Sequence, residues 1–227
     1  MKDESFTRWF AVTIDQQRSR RGPDRVAALL SALERVLGDR ARLTPERTAG
    51  DEVQLLTADP AAVVDLVRLV QCEGAWWTGI GLGAVETPLP SSTREARGDA
   101  YLAAREAVEA AKATPVGLVL CDGPGARGET VGGASYRDVD EAAAAVQRAE
   151  TALWLLCELW QRRSTGGWQM VDLLEGGLGV GEAARELGIS ASAASQRHRR
   201  AGWEVERRGR QLAVDLLRAA RDGQDRP

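Results

Sequence analysis

A chain of 227 residues has room for one medium domain and a small one, and 44% hydrophobic with 28% charged residues is ordinary for a globular protein. A net charge of −3 gives no overall basic bias toward nucleic acid, so such a partner must be met by a local patch. No apolar run approaches membrane-spanning length and MKDESFTR lacks a signal-peptide core, which predicts a cytoplasmic protein with no membrane partner. Cys72, Cys121 and Cys157 are far apart and form no CxxC pair, and they read as reduced, buried thiols.

In chain order, WFAVTI at Trp9–Ile14 predicts a buried first strand that ends at Asp15, followed by the basic loop QQRSRRG. Gly22-Pro23 opens a helix with Val26, Leu29, Leu30, Leu33 and Leu37 on one face, and Gly38 closes it. Residues 42–48 and 52–56 predict two strands joined by a tight hairpin at Ala49-Gly50-Asp51. Asp59-Pro60 caps a second helix with Val63, Leu66, Val67 and Val70 inward. AWWTGIGLGAV at 75–85 predicts a strand whose alternate glycines leave room for something to approach the backbone. Trp76 and Trp77 must then face opposite sides, one in the core and the other lining a pocket or, as the preferred reading, an interface. An alanine-rich helix around Arg97–Lys112 and a last strand at Val116–Cys121 follow. The order opens as β-α-β-β-α-β, the split β-α-β, ferredoxin-like arrangement.

From Arg137 the pattern is purely helical, and DGPGARGETVGG before it reads as a linker or flap. The expected division is therefore 1–122, a linker at 123–136, and a helical domain at 137–227. A long helix from about Asp138 to Arg163 carries Val146, Leu153, Leu156 and Trp160 on one side, a length typical of a connecting or dimer-forming helix. Gly166-Gly167 breaks it, Met170–Glu175 forms a short helix, and a terminal helix over Glu204–Arg221 is weakened at Gly209.

Within this half, VGEAARELGISASAASQRHRR at Val180–Arg200 reads as a helix-turn-helix. Ala183, Ala184 and Leu187 form one buried stripe, Gly188 stops the first helix, Ile189 plugs the corner, and Ser190 caps the second helix. Short side chains on that second helix allow entry into a major groove. Ser190, Ser192, Ser195 and Gln196 are the candidates at its start, and Arg197, Arg199 and Arg200 are placed for phosphates. Arg207 and Arg208 extend the basic patch, so double-stranded DNA is the expected partner. The pattern resembles the sigma-factor-like and MarR-type helix-turn-helix, with Ala184, Gly188, Ile189 and Ala194 at the positions those families keep small or apolar. His198 departs from it, standing where a leucine commonly closes the core.

The N-terminal half carries a second resemblance. Asp15 after the first strand, Gly50-Asp51-Glu52 in a hairpin, GIGLG at Gly79–Gly83, and Gly98 followed by Ala103-Ala104-Arg105 resemble the nucleotide-cyclase superfamily. They are closer still to SatD-like proteins, over roughly Phe10–Lys112. The resemblance implies that Asp15 and Asp51 hold Mg²⁺ with a nucleotide, and that Arg105 keeps the place of the transition-state arginine. Tyr101 stands where a cyclase has a ribose-positioning asparagine, and no second glycine precedes Gly50. Without the resemblance, Asp15 and Asp51 read as a strand-end acid and a turn former. His198 is the single histidine, which argues against His-based catalysis or metal binding. Neither GIGLG nor DGPGARG leads into a helix with a Lys-Ser/Thr pair, so the P-loop and Rossmann patterns fail.

The expected protein is α+β: a ferredoxin-like, nucleotide-cyclase-like βαββαβ domain followed by an all-α helix-turn-helix domain. The expected function is that of a homodimeric DNA-binding transcriptional regulator, not an enzyme. Its N-terminal domain dimerises and senses a nucleotide or related phosphate ligand. The alternatives are an active nucleotide-processing enzyme with an auxiliary DNA-binding domain, and a DNA-binding scaffold that senses nothing.

Overall fold

Side chains alternate along the first strand between two cores, and the sheet is built outward from that strand. In the computed structural model, which describes residues 8–19, 22–123 and 136–223, β1 (Trp9–Gln16) places Phe10, Val12 and Ile14 in one core with α1 (Val26–Leu37) and α2 (Pro60–Glu73). Ala11, on the opposite face, joins Ala100, Tyr101 and Ala104 of α3 (Asp99–Ala111). The other strands are β2 (Leu43–Arg47), β3 (Glu52–Thr57), β4 (Trp76–Gly83) and β5 (Leu118–Asp122). They form one five-stranded sheet in the order β2-β3-β1-β4-β5. β1 lies antiparallel to both β3 and β4, β2 and β3 form a hairpin, and β5 adds in parallel beside β4. With helices on both faces and a helical C-terminal half, the protein is of mixed α and β class.

The predicted first strand stops at Ile14, but β1 continues to Gln16. Asp15 and Gln16 pair with Trp77 and Trp76, and the Gln16 amide is satisfied although buried. It donates to the Pro23 carbonyl at 2.8 Å and accepts from the Arg25 N–H at 2.9 Å. The Asp59 cap forms as expected, its carboxylate accepting from the Ala61 N–H at 2.9 Å. What approaches the glycines of β4 is α3 itself. A Cβ on Gly81 would lie 2.0 Å from the Ala100 carbonyl oxygen, and one on Gly79 would lie 2.2 Å from the Val108 nitrogen. These glycines set the depth at which helix and sheet pack.

The helical half comprises α4 (Tyr136–Gln161), α5 (Thr165–Glu175), α6 (Val180–Glu186), α7 (Ala191–Ala201) and α8 (Trp203–Asp222). The composition changes across the expected linker at 123–136, of which 124–135 lie outside the described residues, yet residues before and after it share one core. Val146, Ala149, Leu153, Leu156 and Trp160 of α4 and Ala213 and Leu217 of α8 belong to the same apolar cluster as Val70, Leu118 and Phe10. The apolar stripe of α4 is thus covered within the chain.

Two glycine expectations are corrected. Gly166-Gly167 does not break the long helix but lies in the first turn of α5, whose cap is Ser164. A Cβ on Gly167 would press on the Arg163 side chain at 2.8 Å, so the residue is small for packing. Gly209 is where α8 rests on Leu156, at 2.9 Å from its would-be Cβ. Among the cysteines only Cys157 is fully buried; Cys121 is half-buried and Cys72 exposed, contrary to expectation.

A polar cluster fastens α8 to the rest. Glu206 is 0% exposed. It accepts from Arg68 Nε at 2.9 Å, Trp160 Nε1 at 2.9 Å and Arg163 at 2.6 Å. Arg163 also donates to the Ala201 carbonyl at 2.9 Å and stacks 4.3 Å from the centre of the Trp168 ring. Arg68 continues to Glu175, Glu175 to Arg210, and Arg210 to Asp65, at 3.0, 2.9 and 2.5 Å. At the other end of α8, Arg8 donates to the Ala220 carbonyl at 2.8 Å and pairs with Asp122. Among the described residues no helix is long and apolar enough to cross a membrane.

The close approach of α3 to β4 sets an expectation. Gly81→Ala should cost about 1–3 kcal/mol by overpacking, because backbone rather than a flexible side chain must move. Gly181→Ala, where the added methyl meets open space on α6, should be neutral or stabilise by up to about 1 kcal/mol. Denaturant midpoints of the two variants provide the check.

Candidate functional site

Two sites predicted from sequence can be built from their residues. The first is the three-helix unit α5–α6–α7. Glu182 accepts from the Gly179 N–H at 2.8 Å, fixing the start of α6. At its end Gly188 adopts φ +62°, and the Ile189 N–H returns to the Ala184 carbonyl at 3.0 Å. The Ser190 hydroxyl accepts from the Ala193 N–H at 3.2 Å and opens α7. Met170, Ala183, Ala184 and Ala194 are buried together, with Leu173, Val180, Leu187 and Ile189 packed around them. Alanines on both facing helices bring α6 and α7 close across a four-residue connection.

Ser192, Ser195, Gln196, Arg199 and Arg200 are all exposed, and helical spacing gathers them on the side of α7 away from Ala194. Ser190 is exposed too, but its hydroxyl is engaged by the cap and lies 3.1 Å from that of Ser192. Arg197 is placed differently from the expectation. It is half-buried, with its guanidinium carbon 3.0 Å from where a Cβ on Gly166 would sit, so it covers the start of α5. His198 is half-buried as well. On α8, Arg207 is exposed and reaches Glu204 at 3.5 Å, while Arg208 is exposed. Arg210 is drawn into the ion pairs with Glu175 and Asp65. Among the described residues Arg199, Arg200 and Arg208 carry no ion pair, which leaves their charge available to a partner.

The second site lies at the far end of β1. The tip of the β2–β3 hairpin folds against it, with the Gln16 N–H donating to the Asp51 carbonyl at 3.3 Å. The side chain of Asp51 lies near enough to that of Asp15 for its charge to act there, so the two predicted carboxylates converge. Burial pushes the Asp15 carboxyl above its ordinary range; Lys112 pulls it down, and Asp51 pushes it up again. Lys112, just beyond α3, stands 3.0 Å from Asp15, 2.8 Å from Glu109, and 5.5 Å from the centre of the Trp77 ring. Trp76 is in the core, and Trp77 has this cation over it. Arg105 is exposed on α3 and makes neither a hydrogen bond nor an ion pair with the aspartates. Among the described residues the cation paired with Asp15 is Lys112, which the motifs pass over.

Beside the pair is a groove of about 320 Å³ lined by Gln16, Ser19, Gly22, Asp24, Arg47, Gly50 and Asp51. Arg47 braces it, donating to Asp24 at 2.8 Å and to the Gly50 carbonyl at 2.5 Å. Among the described residues no group of three or more His, Cys, Asp or Glu forms a metal cage. Two hard carboxylates nevertheless fit Mg²⁺, which takes one or two from protein and the rest from water and phosphates. The Tyr101 hydroxyl is buried without a hydrogen-bond partner, and its pKa is raised by burial and then by Glu46.

The direction of the Asp15 shift fixes a pH response. Its folded pKa lies above the unfolded value, so the folded state binds the proton more tightly. The ionised form then costs stability as pH rises from about 4 through the raised value. Asp15→Asn should be more stable than wild type at neutral pH, with the difference vanishing in acid. Lys112→Met should steepen the wild-type decline. Thermal melts across pH report both; an Asp15→Asn variant less stable at every pH would reverse the sign.

Comparisons with protein-family models, with curated proteins and with solved structures find no match for this chain.

Proposed function

We propose that this chain is a DNA-binding transcriptional regulator, with α6 and α7 as its helix-turn-helix and α7 as the recognition helix. The observation that carries the proposal is the outward face of α7, which presents Ser195, Gln196, Arg199 and Arg200 in the open. An amide suits the N6/N7 edge of adenine and guanidiniums suit phosphates, both on a helix narrow enough for a major groove. One such helix covers few base pairs, so the regulator acts as a homodimer on a pseudo-palindromic site.

The sheet half is assigned as the ferredoxin-like, nucleotide-cyclase-like sensor. The order β2-β3-β1-β4 with antiparallel neighbours supports that assignment, as does the meeting of Asp15 with Asp51. Asp15 and Asp51 would hold Mg²⁺, which supplies the positive charge that phosphate oxygens require. For that, Lys112 must yield its place beside Asp15. The convergence of the carboxylates also favours a second reading, an enzyme that processes nucleotides. Pyrophosphate release from ATP or GTP that persists over many turnovers and is abolished by Asp51→Ala would move the assignment there.

The DNA reading is tested by selecting a site from random duplexes with the full chain. Gln196→Ala should then cost about 1–3 kcal/mol on the selected site and little on random DNA. Arg208→Ala should weaken both alike and lower the salt slope by about one. A Gln196→Ala loss of equal size on both sequences would mean that this face of α7 does not read bases.

A further inference from the structure

A second groove belongs to neither site. It has a volume of about 610 Å³ and opens where the start of β1, the start of α2 and the C-terminal end of α8 meet. Four guanidiniums line it, Arg40, Arg42, Arg218 and Arg221, with the carboxylates of Asp39 and Asp59. Asp65, Asp215 and Asp222 pair with three of the arginines, and Arg42 is left without an ion pair among the described residues. Arg40 and Arg42 lie far in sequence from Arg218 and Arg221, and the docking of α8 brings the two pairs together.

Two of the four are held rigidly by the fold. Arg40 donates to the Val36 and Leu37 carbonyls at 2.6 and 3.4 Å and to Asp65 at 2.8 Å, with Asp59 3.8 Å away, and Arg221 donates to the Ala58 carbonyl and to Asp222. Each keeps N–H groups beyond those bonds, because a guanidinium has five. The other two are open. Arg42 is exposed with no ion pair among the described residues, and Arg218 is half-exposed with a single bond to Asp215 at 2.9 Å. Trp9 forms part of the wall and offers an apolar surface beside the charges.

Braced guanidiniums beside more exposed ones match a ligand with more than one anionic oxygen group. Arginine forks bind phosphate through paired N–H donors. The volume is also twice that of the groove beside Asp51, and within the range of small-molecule sites. From these observations we infer that the groove binds a small phosphate-bearing anion of diphosphate size or larger. This site is separate from the aspartate pair: Trp9 and Asp15 stand at opposite ends of β1, about 20 Å of extended chain apart. It needs no divalent metal, since the charge is supplied by arginines. Because α8 follows α7 through Gly202 alone, an anion bound to Arg218 grips the helix on which the DNA-reading unit is mounted.

The experiment is a thermal-shift and calorimetric titration of the full chain in EDTA at constant ionic strength, with sodium pyrophosphate, ATP and citrate. Pyrophosphate and ATP should raise the melting temperature further than citrate does. Arg42→Gln with Arg218→Gln, both on exposed side chains, should weaken binding by at least about tenfold. Asp15→Asn with Asp51→Asn should leave it intact. No response to either phosphate, a response kept by the double arginine variant, or an equal response to citrate would overturn the assignment. So would a surface that responds only to duplex DNA and loses that response with the same two arginines.

Discussion

A carboxylate taken fully out of water must be paired or it will not remain charged, and Glu206 is such a group. Its partners determine much of the architecture. Arg68 comes from α2, Trp160 from the end of α4, and Arg163 from the segment between α4 and α5. One residue of α8 therefore ties together the sheet half, the long helix and the three-helix unit. Arg163 extends the constraint to α7 by donating to the carbonyl of Ala201, its last residue, and to α5 by stacking on Trp168. The partly exposed ion pairs that continue through Glu175, Arg210 and Asp65 add less individually, being closer to solvent. Removing one partner of the buried set would leave the opposite charge stranded, which is why the set acts as a unit.

This arrangement bears on function because it joins the two halves into one body. The aspartate pair lies at one end of β1, the arginine groove at the other, and α8 passes from the groove to the base of α7. A ligand that changes how α8 sits must work against the Glu206 cluster. The outward face of α7, by contrast, takes no part in that cluster and stays exposed.

The local elements were largely legible in the sequence, because each is dictated by near neighbours. The Asp59 cap, the Gly188 stop, the Ser190 cap and the 49–51 hairpin follow from side chains acting within a few residues. The meeting of Asp15 and Asp51 was legible through the motifs. Lys112 was not, since it reaches Asp15 only once α3 has packed on β4. The Glu206 partners lie 43 or more positions away in the chain, so no local pattern marks them. Gly166 and Gly167 suggested a break because a glycine pair is a poor helix former; their role is to admit the Arg197 and Arg163 side chains. Arg197 looked like a phosphate contact by composition, and only the packing of α7 on α5 shows where it turns.

The central claim is that buried Glu206 holds the α5–α7 unit on the sheet half, and native-state hydrogen exchange on Glu206→Gln tests it most directly. The substitution keeps the shape and removes the charge that satisfies Arg163 and Arg68. A loss of about 3–5 kcal/mol in stability is predicted, with amide protection in α5 and α7 falling at least as far as in the sheet. A variant within about 0.5 kcal/mol of wild type, with α7 protection unchanged, would contradict the claim.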